Sequence, residues 1–178
     1  LAVRNKDLEI KNEIEAMLQG DAAGAALKAY FEAVPESQRR RAIHLLASVY
    51  PGKRTLSDDD FVFVHYMLSN DALFECQSFA DFIRSLSLVD FTERQKGLVI
   101  DRIKAHFEKW CETCTFELDG LLIKVFKRAD LFDFLETVLR NNNPAVLHRI
   151  ADLLRYEDFS NADISADALE NLKKRVLR

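Results

Sequence analysis

The sequence predicts an all-α protein of about eight or nine amphipathic helices, and three observations carry that reading. Apolar residues recur every three or four positions almost from end to end, as in the series Val99, Ile103, Phe107, Trp110 and Cys114. Only five Gly and three Pro occur in 178 residues, against about 21 together at average usage. That shortage argues against a turn-rich β-sandwich, a Rossmann domain or a phosphate-binding loop. No second strand pair is visible to extend the one hairpin signal in the chain, and an isolated hairpin has little stability of its own.

Taken in order, Leu8, Ile14, Met17 and Leu18 begin the first amphipathic segment, and Gly20-Asp21 separates it from Ala22 to Val34. Pro35 opens the next helix at its first turn, with Glu36 favourable at the positive helix end. Ile43, Leu45, Leu46 and Val49 give it a buried side up to a stop at Pro51-Gly52. Ser57 followed three residues later by Asp60 resembles a capping box, with Asp in place of the usual Glu or Gln, and is expected to launch Phe61 to Leu68. Asn70-Asp71 is expected to start the helix carrying Phe74, Phe79, Phe82, Ile83 and Leu86. Thr92 is the cap candidate for the helix that follows.

From 114 to 127 two readings compete. Asp119-Gly120 between apolar runs is a hairpin signal, whereas Leu118, Leu121, Leu122, Val125 and Phe126 share one helical face; the helix is the preferred reading. Asp130 to Arg140 comes next, then Asn143-Pro144 as cap and first-turn residue before Val146 to Leu154, and last Ser165 to Leu177.

An offset of 71 residues aligns Phe61, Phe63, Met67, Leu68 and Asn70 with Phe132, Phe134, Val138, Leu139 and Asn141, and continues into Phe79-Ala80-Asp81-Phe82-Ile83 against Ile150-Ala151-Asp152-Leu153-Leu154. Helical pairs of about 35 residues, two repeats apart, would produce that register. The turn Asn142-Asn143-Pro144-Ala145-Val146 with Arg149 nearby is similar to the Asn-Pro-x-Val turn and following Arg of HEAT-like α-solenoids. The resemblance spans about 57–178, and the first copy departs from it with Leu73 where Pro would stand. It implies an α-α superhelix with a protein-binding surface; the rival architecture is an irregular helical bundle. The expected organisation is one domain over 1–178, with N-terminal helices over 1–56 and helical-hairpin repeats over 57–178.

Composition narrows function. Lys+Arg number 25 and Asp+Glu 29, a net charge of −4, so the molecule as a whole does not attract a phosphate backbone and nucleic-acid binding is disfavoured. With 48% hydrophobic and 30% charged residues the chain reads as globular, and Leu1 to Gln19 has no continuous apolar run of a signal peptide or membrane anchor. Three cysteines, Cys76, Cys111 and Cys114, do not make a disulfide framework, which fits a cytoplasmic setting. Cys111-Glu-Thr-Cys114 could clamp a metal or do redox chemistry. A zinc site needs four ligands, though, and the pair lies near a helix C-terminus, where the dipole does not favour thiolate.

His44, His65, His106 and His148 are scattered, His148 and Asp152 being spaced to pair on one helix face. Arg39, Arg40 and Arg41 with Lys53 and Arg54, and Lys173, Lys174 and Arg175 with Arg178, are two basic clusters that could touch phosphates. Acidic residues gather at helix junctions: Asp58, Asp59 and Asp60; Glu157 and Asp158; Asp163 and Asp167. They are the expected binding residues, an anionic rim that would steer a basic protein partner, and helix capping is the alternative use for them. The reading is a non-enzymatic inhibitor or adaptor, such as a bacterial immunity protein that neutralises a toxin, with no cofactor and no membrane partner. A helical nucleic-acid binder, and an enzyme or metal protein centred on Cys111 and Cys114, are the alternatives.

Overall fold

The structure is a computed structural model that describes residues 2–49, 55–74, 77–114, 116–157, 159 and 164–177. Ten α-helices occur among them and no strand: α1 (Ala2–Leu18), α2 (Ala23–Ala33), α3 (Glu36–Val49), α4 (Asp58–Leu68), α5 (Gln77–Leu86), α6 (Glu93–Thr113), α7 (Phe116–Val125), α8 (Arg128–Val138), α9 (Pro144–Tyr156) and α10 (Ala166–Val176). The all-α class is as the sequence implies, and the count of eight or nine is low. Gly20-Asp21 does end α1, so the N-terminal stretch gives two helices. The Pro51-Gly52 stop lies outside the described residues.

Local signals account for most of the boundaries. Ser57 Oγ accepts the Asp60 amide while the Asp60 carboxylate accepts the Ser57 amide, so the capping box is formed with Asp in the third position. Thr92 makes a second capping box with Gln95, whose side-chain amide also donates to the Leu56 carbonyl. Asn143 accepts the Ala145 amide ahead of Pro144, and Asn142 just before it takes the left-handed conformation that Asn tolerates.

Two sequence readings at 70–86 and 114–127 resolve differently. Asn70 makes no side-chain cap, Asp71 to Leu73 form only a 3-10 turn, and α5 starts at Gln77, later than expected. The stretch around Asp119-Gly120 is helix α7, as preferred. A two-residue hairpin of that sequence needs positive φ at both turn residues, and no described glycine has it. Gly120 instead lets α7 lie close on α5, since a Cβ there would stand 3.2 Å from Ser87 Cβ.

Packing follows a step of two along the chain. α1 lies on α3, α3 on α5 and α5 on α7; α2 lies on α4 and α4 on α6. The rows join through α1 with α2, α5 with α6, and α6 with α7. Beyond α7 the pattern shifts, with α8 on α7, α9 on α6 and α10 on α9. One apolar cluster runs from Ile14 to Leu172, with Trp110, Phe74 and Phe79 edge-on or tilted to one another at its centre. Of the residues aligned by the offset of 71, Phe61 and Phe132, Phe63 and Phe134, Leu68 and Leu139, Phe79 and Ile150, Phe82 and Leu153 are buried in both copies, whereas Met67 is buried and Val138 half-buried.

Charge pairs cross between successive odd-numbered helices. Asp7 on α1 pairs with Arg41 on α3, and His44 on α3 lies 3.9 Å from Asp81 on α5. Arg84 on α5 pairs with Glu117 on α7 at 2.8 Å, and Asp119 on α7 with Arg149 on α9 at 2.8 Å.

Candidate functional site

The three aspartates at the start of α4 each have a partner inside the chain. Asp60 closes the capping box with Ser57. Asp59 Oδ2 accepts the Gly24 amide at 3.0 Å. α2 begins after Ala22, which has no side chain able to cap, so the carboxylate from α4 supplies the cap that the local sequence lacks. Asp58 meets Arg94 of α6 at 3.3 Å, and both side chains are about three-quarters exposed, which leaves their charges well solvated.

At the other junction, Glu157 follows α9 and pairs with Arg128 at 3.1 Å. Asp167 lies in the first turn of α10, where Ser165 is the cap. Asp158 and Asp163 lie outside the described residues. No hydrogen bond or ion pair among the described residues links the Asp58 group to Glu157 or Asp167.

Asp58 stands at the edge of a groove of about 450 Å³ between α4 and α6, with Lys28 of α2 at one end. Phe61 and Leu98 give it an apolar floor, and Val62 projects into it with 45% of its surface exposed. α4 can present Val62 outward because seven of its eleven residues, Phe61 to Val64 and Tyr66 to Leu68, are apolar or aromatic, more than one buried face needs. The rim charges are matched: Arg94 by Asp58, and Lys28 by Glu32 at 3.9 Å, with the ammonium 5.9 Å from the centre of the Tyr66 ring. His65, half-buried in the groove wall, is held neutral to lower pH by burial and by the nearby Arg102 charge.

The other sequence candidates are placed as follows. Cys111 and Cys114 are buried beside Trp110, and burial pushes each thiol up to about 12, so neither is a thiolate near neutral pH; Cys76 lies outside the described residues. His148 reaches Asp152 at 3.5 Å on the surface of α9. In the first basic cluster Arg41 is held by Asp7 and Arg39 Nε donates to the Val34 carbonyl at 3.1 Å. In the second, Arg175 is held by Glu136 at 2.8 Å. These contacts take cations out of both clusters, and Lys53, Arg54 and Arg178 lie outside the described residues.

Arg149, singled out by the turn that precedes it, has only 4% of its side chain exposed and lies between Asp119 and Asp152. Burial raises Asp119 to about 6, against the opposing pull of Arg149. No described helix is long and apolar enough to cross a membrane. Compared with known proteins, the chain matches no protein-family model, no curated protein and no solved structure.

Proposed function

We propose that the chain is a non-enzymatic protein-binding module of the helical-repeat kind, an inhibitor or adaptor that occupies a surface of a basic protein, as a toxin-neutralising immunity protein does. The observation that carries this reading is the α4–α6 groove. It is an apolar strip with an outward valine, framed by charges that are already compensated, which is the anatomy of an interface core inside a polar rim. Compensated rim charges favour contact with another folded surface over capture of a free ion. The net charge of −4, with Asp167 exposed on α10, favours a cationic partner through steering, while Asp58 and Glu157 are already met by Arg94 and Arg128.

The HEAT-like superhelix belongs to the same proposal. It is supported over α1 to α7 by the step-of-two packing, which ends there, and by charge pairs spaced 34, 33 and 30 positions apart between odd-numbered helices, close to one helical pair each.

The test is recovery of the partner from the natural host with tagged wild-type chain and a Val62→Glu variant, whose exposed position leaves the fold intact. One basic protein bound in stoichiometric amount to the wild type and lost from the variant is the expected result. Equal recovery by both baits overturns the assignment to this groove, and nuclease-sensitive nucleic acid in place of a protein overturns the class.

A further inference from the structure

The step-of-two packing continues from α2 to α4 to α6 and then changes: α6 packs against α9, and it meets α8 through the edge-to-face pair Phe107 and Phe134, with ring centres 4.9 Å apart. Between α6 and α8 lies a groove of about 580 Å³. Ile100 and Lys104 form its α6 wall, one turn apart. The α8 wall is Asp130, Asp133 with Phe134, and Thr137 with Val138, a strip about 12 Å long at 1.5 Å per residue. The floor is the stacked pair Phe126 and Phe134, with ring centres 5.5 Å apart. Two helix edges with residues at i, i+3 and i+4 above an apolar floor are what a third helix packs into.

The charges of the α8 wall differ from those of the first groove. Glu136, beyond Asp133 on α8, is taken by Arg175. Asp130 and Asp133 are exposed, on one helix face, and make no ion pair among the described residues. Lys104 on the opposite wall is likewise unpaired among the described residues, which leaves the described lining with a net negative charge.

We propose that this α6–α8 groove receives an amphipathic helix of a protein partner, laying its apolar stripe on Phe126, Phe134, Ile100 and Val138 and its arginine or lysine side chains against Asp130 and Asp133. The inference rests on the protein-binding reading above and adds a second contact surface with a defined chemistry. Helix-in-groove docking fixes the spacing the partner must have: apolar anchors at i, i+3 or i+4 and i+7, with cations on the flank facing α8. The stems of those cations can lie along Val138 and Thr137 while their charges reach the carboxylates.

The experiment is a titration of the full chain, followed by amide NMR shifts, with an amphipathic peptide about four turns long that carries a leucine stripe flanked by arginines. The control is the same peptide with glutamate at each arginine. Shifts confined to residues 100–104 and 126–138, no binding of the control, and affinity weakened about tenfold in Asp130→Asn/Asp133→Asn are the expected results. Lys104→Glu removes the only cation among the described lining residues without touching α8, and it should tighten binding, with a steeper salt dependence. Val62→Glu should leave the peptide's affinity unchanged, which separates this groove from the first one. Equal binding of the control, affinity unmoved by the Asp130 and Asp133 changes, weaker binding by Lys104→Glu, or shifts centred on Val62 would each overturn the proposal.

Discussion

Replacing Arg149 with Met removes the one cation that meets Asp119 within the packed interior. The guanidinium lies 2.8 Å from Asp119 Oδ2 and 3.8 Å from Asp152, and 4% of its side chain is exposed. Asp119 Oδ1 and Arg149 Nε have no hydrogen-bond partner of their own, so the pair rests on a single direct contact. Met fills much of the same volume, and the main effect is a largely buried carboxylate left facing the carboxylates of Asp152 and Glu157 with no cation between them. Breaking a buried pair from one side costs about 3–5 kcal/mol, a large part of a stability of about 5–15 kcal/mol for a domain of this kind.

The pH dependence gives the mechanism a signature. Burial raises Asp119 in the folded state from 3.8 to about 6. The folded chain therefore binds this proton more readily than the unfolded chain, and the contribution of Asp119 to stability is present near pH 4 and lost as pH rises through 6. Arg149→Met strengthens that trend, so its penalty is greater at pH 8 than at pH 5. Asp119→Asn flattens the trend, and Arg149→Met/Asp119→Leu recovers most of the loss at pH 8. Urea unfolding at the two pH values measures all four chains. A penalty below about 1 kcal/mol at pH 8, or a double variant no more stable than Arg149→Met alone, refutes the reasoning.

Three further outcomes follow from the packing. Gly24→Ala places a methyl inside contact distance of the Asp59 carbonyl on α4 and should destabilise by about 2 kcal/mol, whereas Gly97→Ala on open α6 surface should stabilise by about 0.5–1 kcal/mol; thermal melts decide both signs. Asp59→Ala uncaps α2 and should lower stability by about 1 kcal/mol, while Asp58→Ala, at an exposed pair, should change it little. In a Cys76→Ser background, Cys111 and Cys114 should react with a thiol reagent only as fast as the chain unfolds, and rapid labelling of the native protein would contradict their burial.

Most of the helices were legible because they rest on local signals. Ser57 with Asp60, Thr92, Asn143 before Pro144, and the stripe from Val99 to Cys114 all act within one or two turns, so a linear reading captures them. The exceptions had a competing local cue. Asn70-Asp71 has the composition of a helix start, yet only a 3-10 turn forms there. Asp119-Gly120 has the composition of a hairpin, yet the apolar face of α7 and its approach to α5 hold it helical. The offset of 71 aligns apolar pairs that are mostly buried in both places, with Met67 and Val138 the exception. The charge pairs that cross between odd-numbered helices join residues 30 or more positions apart and leave no periodic mark that a window of one helix would show.

The candidate site shows the same division more sharply. Asp58, Asp59 and Asp60 read alike in sequence, as one acidic run, but three unlike environments separate them: a solvated pair with Arg94, a cap donated to another helix, and a cap for their own helix. Only the first leaves its carboxylate mostly in solvent, and Arg94 already meets it there. The sequence carried one sign of the groove beside it, an α4 with more apolar residues than a single buried face can use, and Val62 is the surplus. Lys28, His65, Arg94 and Leu98 carry no such mark, because they become one surface only when α2, α4 and α6 lie side by side. A binding surface of this kind is made by the packing of helices, so its residues are dispersed through the sequence and are found from the fold first.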